Sequence, residues 1–203
     1  NPAGLNNLLQ KDAAQIRTKD VESELVDDPS GIQLLLASYR PADARRLSGV
    51  DQFAAVVDQL AHLAAFTILD LGPAIPPHSD RLLESCDQLI VVVEPDPNAA
   101  VHAKALLDDL GLRVLSRDRI SVAVVNRVRT DQKLSRTQIQ DLLGHPAPYV
   151  FTPVPEIAYQ AARTKVPMVL LGDAAAQTQQ HNNIQQYSAI AGAIARQGQK
   201  VSV

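Results

Sequence analysis

Residues 87–111, DQLIVVVEPDPNAAVHAKALLDDLG, decide the fold. Leu89 to Val93 form a short, continuous apolar run without alternation. Strands buried on both faces read this way, as in a parallel sheet covered by helices. Asp96 then offers a side-chain oxygen to open N–H groups, and Pro97 takes the first helical position, where its missing N–H costs nothing. The helix is expected to run to about Leu110 and to stop at Gly111, which can adopt a left-handed cap.

Similar apolar runs lie at 32–37 (IQLLLA), 66–71 (FTILDL), 120–125 (ISVAVV) and 149–152 (YVFT). Helical patterns separate them. Over 50–63, Val50, Phe53, Ala54, Val57, Leu60 and Ala61 recur at helical spacing and predict one apolar face. Ser135-Arg136-Thr137-Gln138 reads as a capping box, and Gly144 closes that helix. Asp27-Asp28-Pro29-Ser30-Gly31 reads as a turn. Near the end, Ile184, Tyr187, Ile190, Ala191 and Ile194 keep a helical stripe in a Gln-rich stretch, which predicts a docking helix. The β-α alternation predicts an α/β fold: a mainly parallel sheet, helices on both faces and right-handed crossovers.

The 203 residues suit one domain with a proper core. Hydrophobic residues at 46% and charged residues at 20% exclude disordered and collagen-like classes. No apolar run approaches the roughly 18–20 residues of a transmembrane helix. The formal net charge of -3 gives no broad nucleic-acid footprint, although Arg40, Arg45 and Arg46 could form a local patch. The one cysteine, Cys86, cannot form an internal disulfide, so a reducing, cytoplasmic setting is expected.

In open parallel sheets, ligands sit beyond the carboxyl ends of the strands. The residues there are Ser38-Tyr39-Arg40-Pro41, Asp70 with Gly72-Pro73, Glu94-Pro95-Asp96, Asn126-Arg127 and Pro153-Val154-Pro155-Glu156. Asp70 supports two readings. A carboxylate ending an apolar strand can hold the Mg²⁺ of a nucleotide, or it can cap the next turn through its own side chain. Asn126 likewise can match a purine edge with its acceptor and paired donors, or hold the strand-to-loop turn. Other chemistries lack support. His62, His78, His102, His145 and His181 show no metal-ligand spacing. No Gly-x-Ser-x-Gly elbow occurs, and Cys86 reads as buried rather than nucleophilic.

The order of these segments resembles the deviant-Walker ATPases of the MinD/ParA type, and within them the CpaE/TadZ pilus-assembly branch. The resemblance runs from about Gly31 to Ile194. It rests on GIQLLLASYRPADARRL (31–47), FTILDLGPA (66–74), the 87–110 unit, VAVVNR (122–127) and LLGHPAPYVFTPVPEIAYQAARTKVPMV (142–169). It implies a P-loop NTPase-like fold that binds ATP or ADP with Mg²⁺. Asp70 would touch Mg²⁺ through water and act as the catalytic switch residue. Asn126 would bond the adenine, Arg127 would flank it, and Pro153, Val154 and Pro155 would pack against the base. The resemblance also implies a homodimer that localises or positions a larger assembly, pilus or secretion machinery being favoured. Protein partners could then recruit it to the inner face of the membrane.

Two features depart from that pattern. No Gly-x-x-x-x-Gly-Lys-[Ser/Thr] or Lys-Gly-Gly variant occurs in these residues, and Thr164-Lys165-Val166 stands where the family often has a glycine. A single domain lacking its first strand and phosphate loop at the amino end is therefore expected, with roughly 40 or more residues before Asn1 supplying them. With that loop the protein would be an ATP hydrolase. Without it, the same fold would serve as a non-catalytic scaffold or localisation protein. A polysaccharide-export tyrosine kinase shares this sheet, but the terminal stretch holds only Tyr187 where that family is tyrosine-rich.

Overall fold

The structure is a computed structural model describing residues 4–38, 49–73, 75, 79–113, 116–127, 131–171, 185 and 187–196. The chain divides into two compact units, Asn1–Ser85 and Cys86–Val203.

The first unit contains α1 (Leu5–Leu8), α2 (Thr18–Glu22), β1 (Val26–Asp27), β2 (Gln33–Leu34), α3 (Val50–Leu63) and α4 (Asp80–Ser85). Leu5, Leu8, Ile16, Val21 and Val56 make its buried core, with Phe53, Leu60 and Leu63 packed against it. Val56 lies outside the predicted stripe of α3 yet is almost fully buried, whereas Ala61, inside the stripe, is exposed. The predicted turn at 27–31 forms. Asp28 Oδ1 accepts from the Ser30 N–H at 2.9 Å, and the Gly31 N–H donates to the Asp28 carbonyl at 2.8 Å. Gly31 has φ 85, a conformation that costs glycine little.

Two predicted strands of this unit differ in the structure. The 32–37 run contributes only β2, which pairs antiparallel with β1. Beyond β2, its backbone is held by the amino-terminal turn instead of a sheet. The Leu5 N–H donates to the Leu36 carbonyl at 3.0 Å, and the Ser38 N–H donates to Asn6 Oδ1 at 2.9 Å. Residues 66–71 form no strand. Phe66 is 56% exposed and Ile68 93% exposed, and among the described residues no ladder reaches them. An apolar run becomes a strand only when a neighbour accepts its backbone bonds.

The second unit holds β3 (Leu89–Val93), α5 (Pro97–Leu112), β4 (Ile120–Val125), α6 (Arg136–Leu143), β5 (Tyr149–Phe151) and α7 (Pro155–Thr164). A final helix, α8, covers 187–196. The sheet order is β3-β4-β5, all parallel, with Val93 opposite Val124 and Val125 opposite Phe151. Val91, Val93, Val122 and Val124 are buried, and α5 packs on β3 and against α6. On the opposite face Ile90 and Val92 are exposed, so β3 is buried on one side only. This corrects the two-sided burial expected of its sequence.

The end signals of these helices are largely as read. Asp96 Oδ1 accepts from the Asn98 and Ala99 N–H groups at 2.9 and 3.1 Å, capping α5. Ser135 and Gln138 form the capping box of α6, and Gly144 closes it at φ 61. Gly111 is different: it lies inside α5, not at its end. Arg113 Nε donates to Asp109 Oδ2 at 3.0 Å, an i,i+4 contact that carries the last turn past the glycine.

Lys165 ends α7 in the left-handed region, at φ 56. A side chain is strained there by about 1–2 kcal/mol. Lys165→Gly is therefore expected to raise stability by about 0.5–1 kcal/mol, read as a higher denaturant midpoint with an unchanged slope. Gly4 is the reverse case. Its φ is 43, and an added Cβ would lie 2.3 Å from the Leu36 carbonyl oxygen. Gly4→Ala should lower stability by more than about 1 kcal/mol, read as a lower denaturant midpoint.

Candidate functional site

Five of the predicted residues, Asn126, Arg127, Pro153, Val154 and Pro155, lie at the carboxyl end of the parallel sheet with the carboxylate Glu94. Asn126 directly follows β4 and is 7% exposed. Its backbone N–H donates to the Phe151 carbonyl at 3.1 Å, extending the β4–β5 ladder by one bond. Arg127 comes next and is exposed. Its Nη2 donates to Glu94 Oε1, at the end of the neighbouring strand β3. Both partners are well exposed, so this pair contributes little to stability and acts mainly on the direction of the guanidinium.

Glu94 is itself fixed by its turn. The Asp96 N–H donates to the Glu94 carbonyl at 2.8 Å, and the Leu134 N–H donates to the Pro95 carbonyl at 3.0 Å. The loop after Arg127 thus returns to the β3 turn. The sequence places Glu94 on the rim, but its pairing with Arg127 across 33 positions follows only from the strand register.

Pro153, Val154 and Pro155 lead from β5 into α7. Pro155 occupies the first turn of that helix. Val154 is buried at 6% exposure, and its carbonyl accepts from the Ala158 N–H at 2.9 Å. Tyr187 of α8 meets this segment. Its hydroxyl donates to the Thr152 carbonyl at 3.1 Å, and its ring lies 4.7 Å from that of Phe151 at a tilt of 52°. Burial pushes the Tyr187 hydroxyl above its usual range. The sequence places Tyr187 only within a helical stripe. A usable signal was its rarity, since the chain has four Tyr and three Phe.

Asp70 belongs to the first unit and is exposed. Its Oδ1 accepts from the Gly72 N–H at 2.9 Å, and Gly72 takes φ 74. The side chain therefore makes the turn that was one of its two readings. A carboxylate retains further acceptor sites after one such bond, so the water-mediated Mg²⁺ contact also fits the group. Tyr39, Arg40, Pro41, the Arg45/Arg46 patch and His78 lie outside the described residues.

Two of the histidines lie against backbone carbonyls. His62 Nδ1 lies 2.7 Å from the Asp58 carbonyl, and His145 Nδ1 lies 3.0 Å from the Pro146 carbonyl. Among the described residues, no three His, Cys, Asp or Glu side chains gather as a metal site. A groove lined by Ile120, Ser121, Gly144, His145 and Pro148 opens at the amino end of β4, the opposite end from Asn126. Among the described residues, no helix is long and apolar enough to cross a membrane.

No protein-family model and no curated protein matches the chain. Solved structures do. A ParA family ATPase from Chlorobium tepidum TLS superposes with a TM-score of 0.77 at 14% identity, covering 93% of this chain and 76% of that one. The cell division ATPase MinD of Pyrococcus furiosus gives 0.67 at 12% identity, covering 100% and 78%. The MinC:MinD cell division protein complex of Aquifex aeolicus gives 0.60 at 19% identity, covering 93% and 80%. The fold is that of the ParA and MinD P-loop ATPases.

Cys86 is half-buried just after α4, and burial raises its thiol pKa, with Arg119 opposing the shift. The thiolate fraction at pH 7 is then below that of a free cysteine. Alkylation by iodoacetamide should be slower in folded than in denaturant-unfolded protein, and should rise with pH.

Proposed function

We propose that this chain is the nucleotide-binding part of an ATP- and Mg²⁺-dependent switch of the MinD/ParA type. The observation that carries the reading is the buried Asn126 at the carboxyl end of β4, beside Arg127 and bonded to the end of β5, in a fold shared with those ATPases. Ligands of open parallel sheets sit at this edge. The Asn126 amide would offer an acceptor and donors to the adenine edge. Arg127, directed by Glu94, would flank the base, and Pro153 to Pro155 would pack against it. Asp70 would hold Mg²⁺ through water and pass the state of the phosphates to the Gly72-Pro73 turn. When bound, Mg²⁺ neutralises phosphate charge.

The switch itself is the finer part of the proposal. Nucleotide would promote a homodimer, and the dimer would localise a larger assembly. A pilus or secretion machine of the kind served by the CpaE/TadZ branch is favoured. Protein partners would bring the dimer to the inner face of the membrane from a cytoplasmic pool. Hydrolysis needs a backbone cradle for the phosphates, and we tie it to a phosphate loop upstream of Asn1 within one MinD/ParA-like domain. The competing reading is a scaffold of the same fold that dimerises or binds its partner without nucleotide.

Titration calorimetry and melting of the intact protein separate the two. ATP–Mg²⁺ at 100 times its Kd should add about 2.7 kcal/mol of stability. Asn126→Ala should weaken ATP binding about two- to twelvefold, the value of one hydrogen bond. Asp70→Ala should abolish the gain in affinity that Mg²⁺ confers. Absence of both heat and a melting shift with ATP–Mg²⁺ sinks the switch. A dimer equally stable with and without nucleotide in light scattering supports the scaffold.

A further inference from the structure

We infer that Tyr187, on the final helix, is a positioning residue for base recognition, acting through the segment 152–155. The inference rests on the nucleotide reading above and adds a residue to it.

The argument begins with what prolines cannot do. Pro153 and Pro155 have fixed φ and no N–H, so neither can be held in place by donating a backbone hydrogen bond. The placement of this segment therefore falls on its other residues. At the exit, Val154 is anchored by its buried side chain and by the Ala158 N–H bond to its carbonyl. At the entry, the Tyr187 hydroxyl holds the Thr152 carbonyl at 3.1 Å. One residue earlier, the Phe151 carbonyl accepts from the Asn126 N–H, and the Phe151 ring packs on Tyr187.

Asn126, Phe151, Thr152 and Tyr187 thus form one connected chain of contacts. The residue that would read the base edge and the segment that would pack on the base face share the end of β5. Tyr187 fixes that end from α8. A tyrosine that merely docked a helix needed only the ring contact. Here the hydroxyl also bonds the carbonyl immediately before the first proline. Loss of that bond removes an anchor of the carbonyl immediately before the point where Pro153 leaves the strand.

The test uses the intact protein and the ratio of ATP to GTP affinity, because that ratio reads the base and cancels the phosphates. Tyr187→Phe keeps the ring and deletes the hydroxyl. It should reduce the preference for ATP over GTP about two- to tenfold, the effect of one hydrogen bond, with a circular dichroism spectrum like wild type. Phe151→Leu keeps the hydroxyl and deletes the ring contact. It should reduce the ratio in the same direction, and it carries the test if Tyr187→Phe does not fold. A purely structural role would lower stability and leave the ratio unchanged. Wild-type protein that prefers ATP, with both folded variants keeping that preference, overturns the positioning role alone. Wild-type protein that binds neither nucleotide overturns the nucleotide reading and this inference with it. Equal wild-type affinity for ATP and GTP also overturns it.

Discussion

The hydrogen-bond ladder of β4 is the constraint on which the candidate site depends. Among the described strands, β4 alone is paired along both edges, to β3 and to β5, and both ladders are parallel. Parallel pairing makes every strand end point the same way. Glu94, Asn126 and Thr152 therefore reach one edge of the sheet because β3, β4 and β5 run alongside each other in register. The cost of burying β4 backbone is offset only if each N–H and C=O finds a partner. Ile120, Val122, Ala123 and Val124 are all buried, so the ladder cannot slip without exposing them. Register and rim geometry are in this sense the same fact.

The rim then uses few side-chain contacts, and each has a definite task. Asn126 continues the ladder with its backbone, which ties its position to the end of β5. Glu94 turns an exposed arginine toward the neighbouring strand end. Arg and Glu at this exposure gain little from pairing, so direction matters more than energy. Tyr187 works differently. Its ring is in contact with Phe151 while its hydroxyl reaches a carbonyl, so one residue supplies both packing and orientation.

The second unit was largely legible in the sequence and the first was not. The difference lies in where the signals come from. Asp96-Pro97, the Ser135–Gln138 box and Gly144 are local devices, and a local device acts on its own few residues. Runs such as 89–93 and 120–125 became strands because each had the other as a neighbour. The run 32–37 finds only a two-residue antiparallel partner in β1, and among the described residues 66–71 finds none. The first is held by α1 through Leu5 and Asn6, and the second forms no strand, with Ile68 almost wholly exposed. Strand propensity is a statement about packing surroundings, and composition alone does not contain them. For the site, residue types were legible and their partnerships were not. Asn126 and Arg127 stand out as a pair after a strand, whereas Glu94 and Tyr187 gain meaning only from register and from a helix folded back onto β5.

Asp70 has a structural role in the turn that it makes, and the proposed function would add a second one to the same carboxylate. Its Oδ1 bond to the Gly72 N–H fixes the turn, and Gly72 takes a positive φ that a side chain would resist. Such a turn has few alternative conformations, so a shift of the carboxylate is passed directly to residues 72 and 73. A cation drawing on the same carboxylate would compete with the amide for electron density and loosen the turn, or would use the remaining lone pairs and tighten its placement. Either outcome converts occupancy at the carboxylate into a change of loop geometry. In the proposed switch, the turn built on Asp70 would supply the mechanical half, and a metal with its phosphates the chemical half.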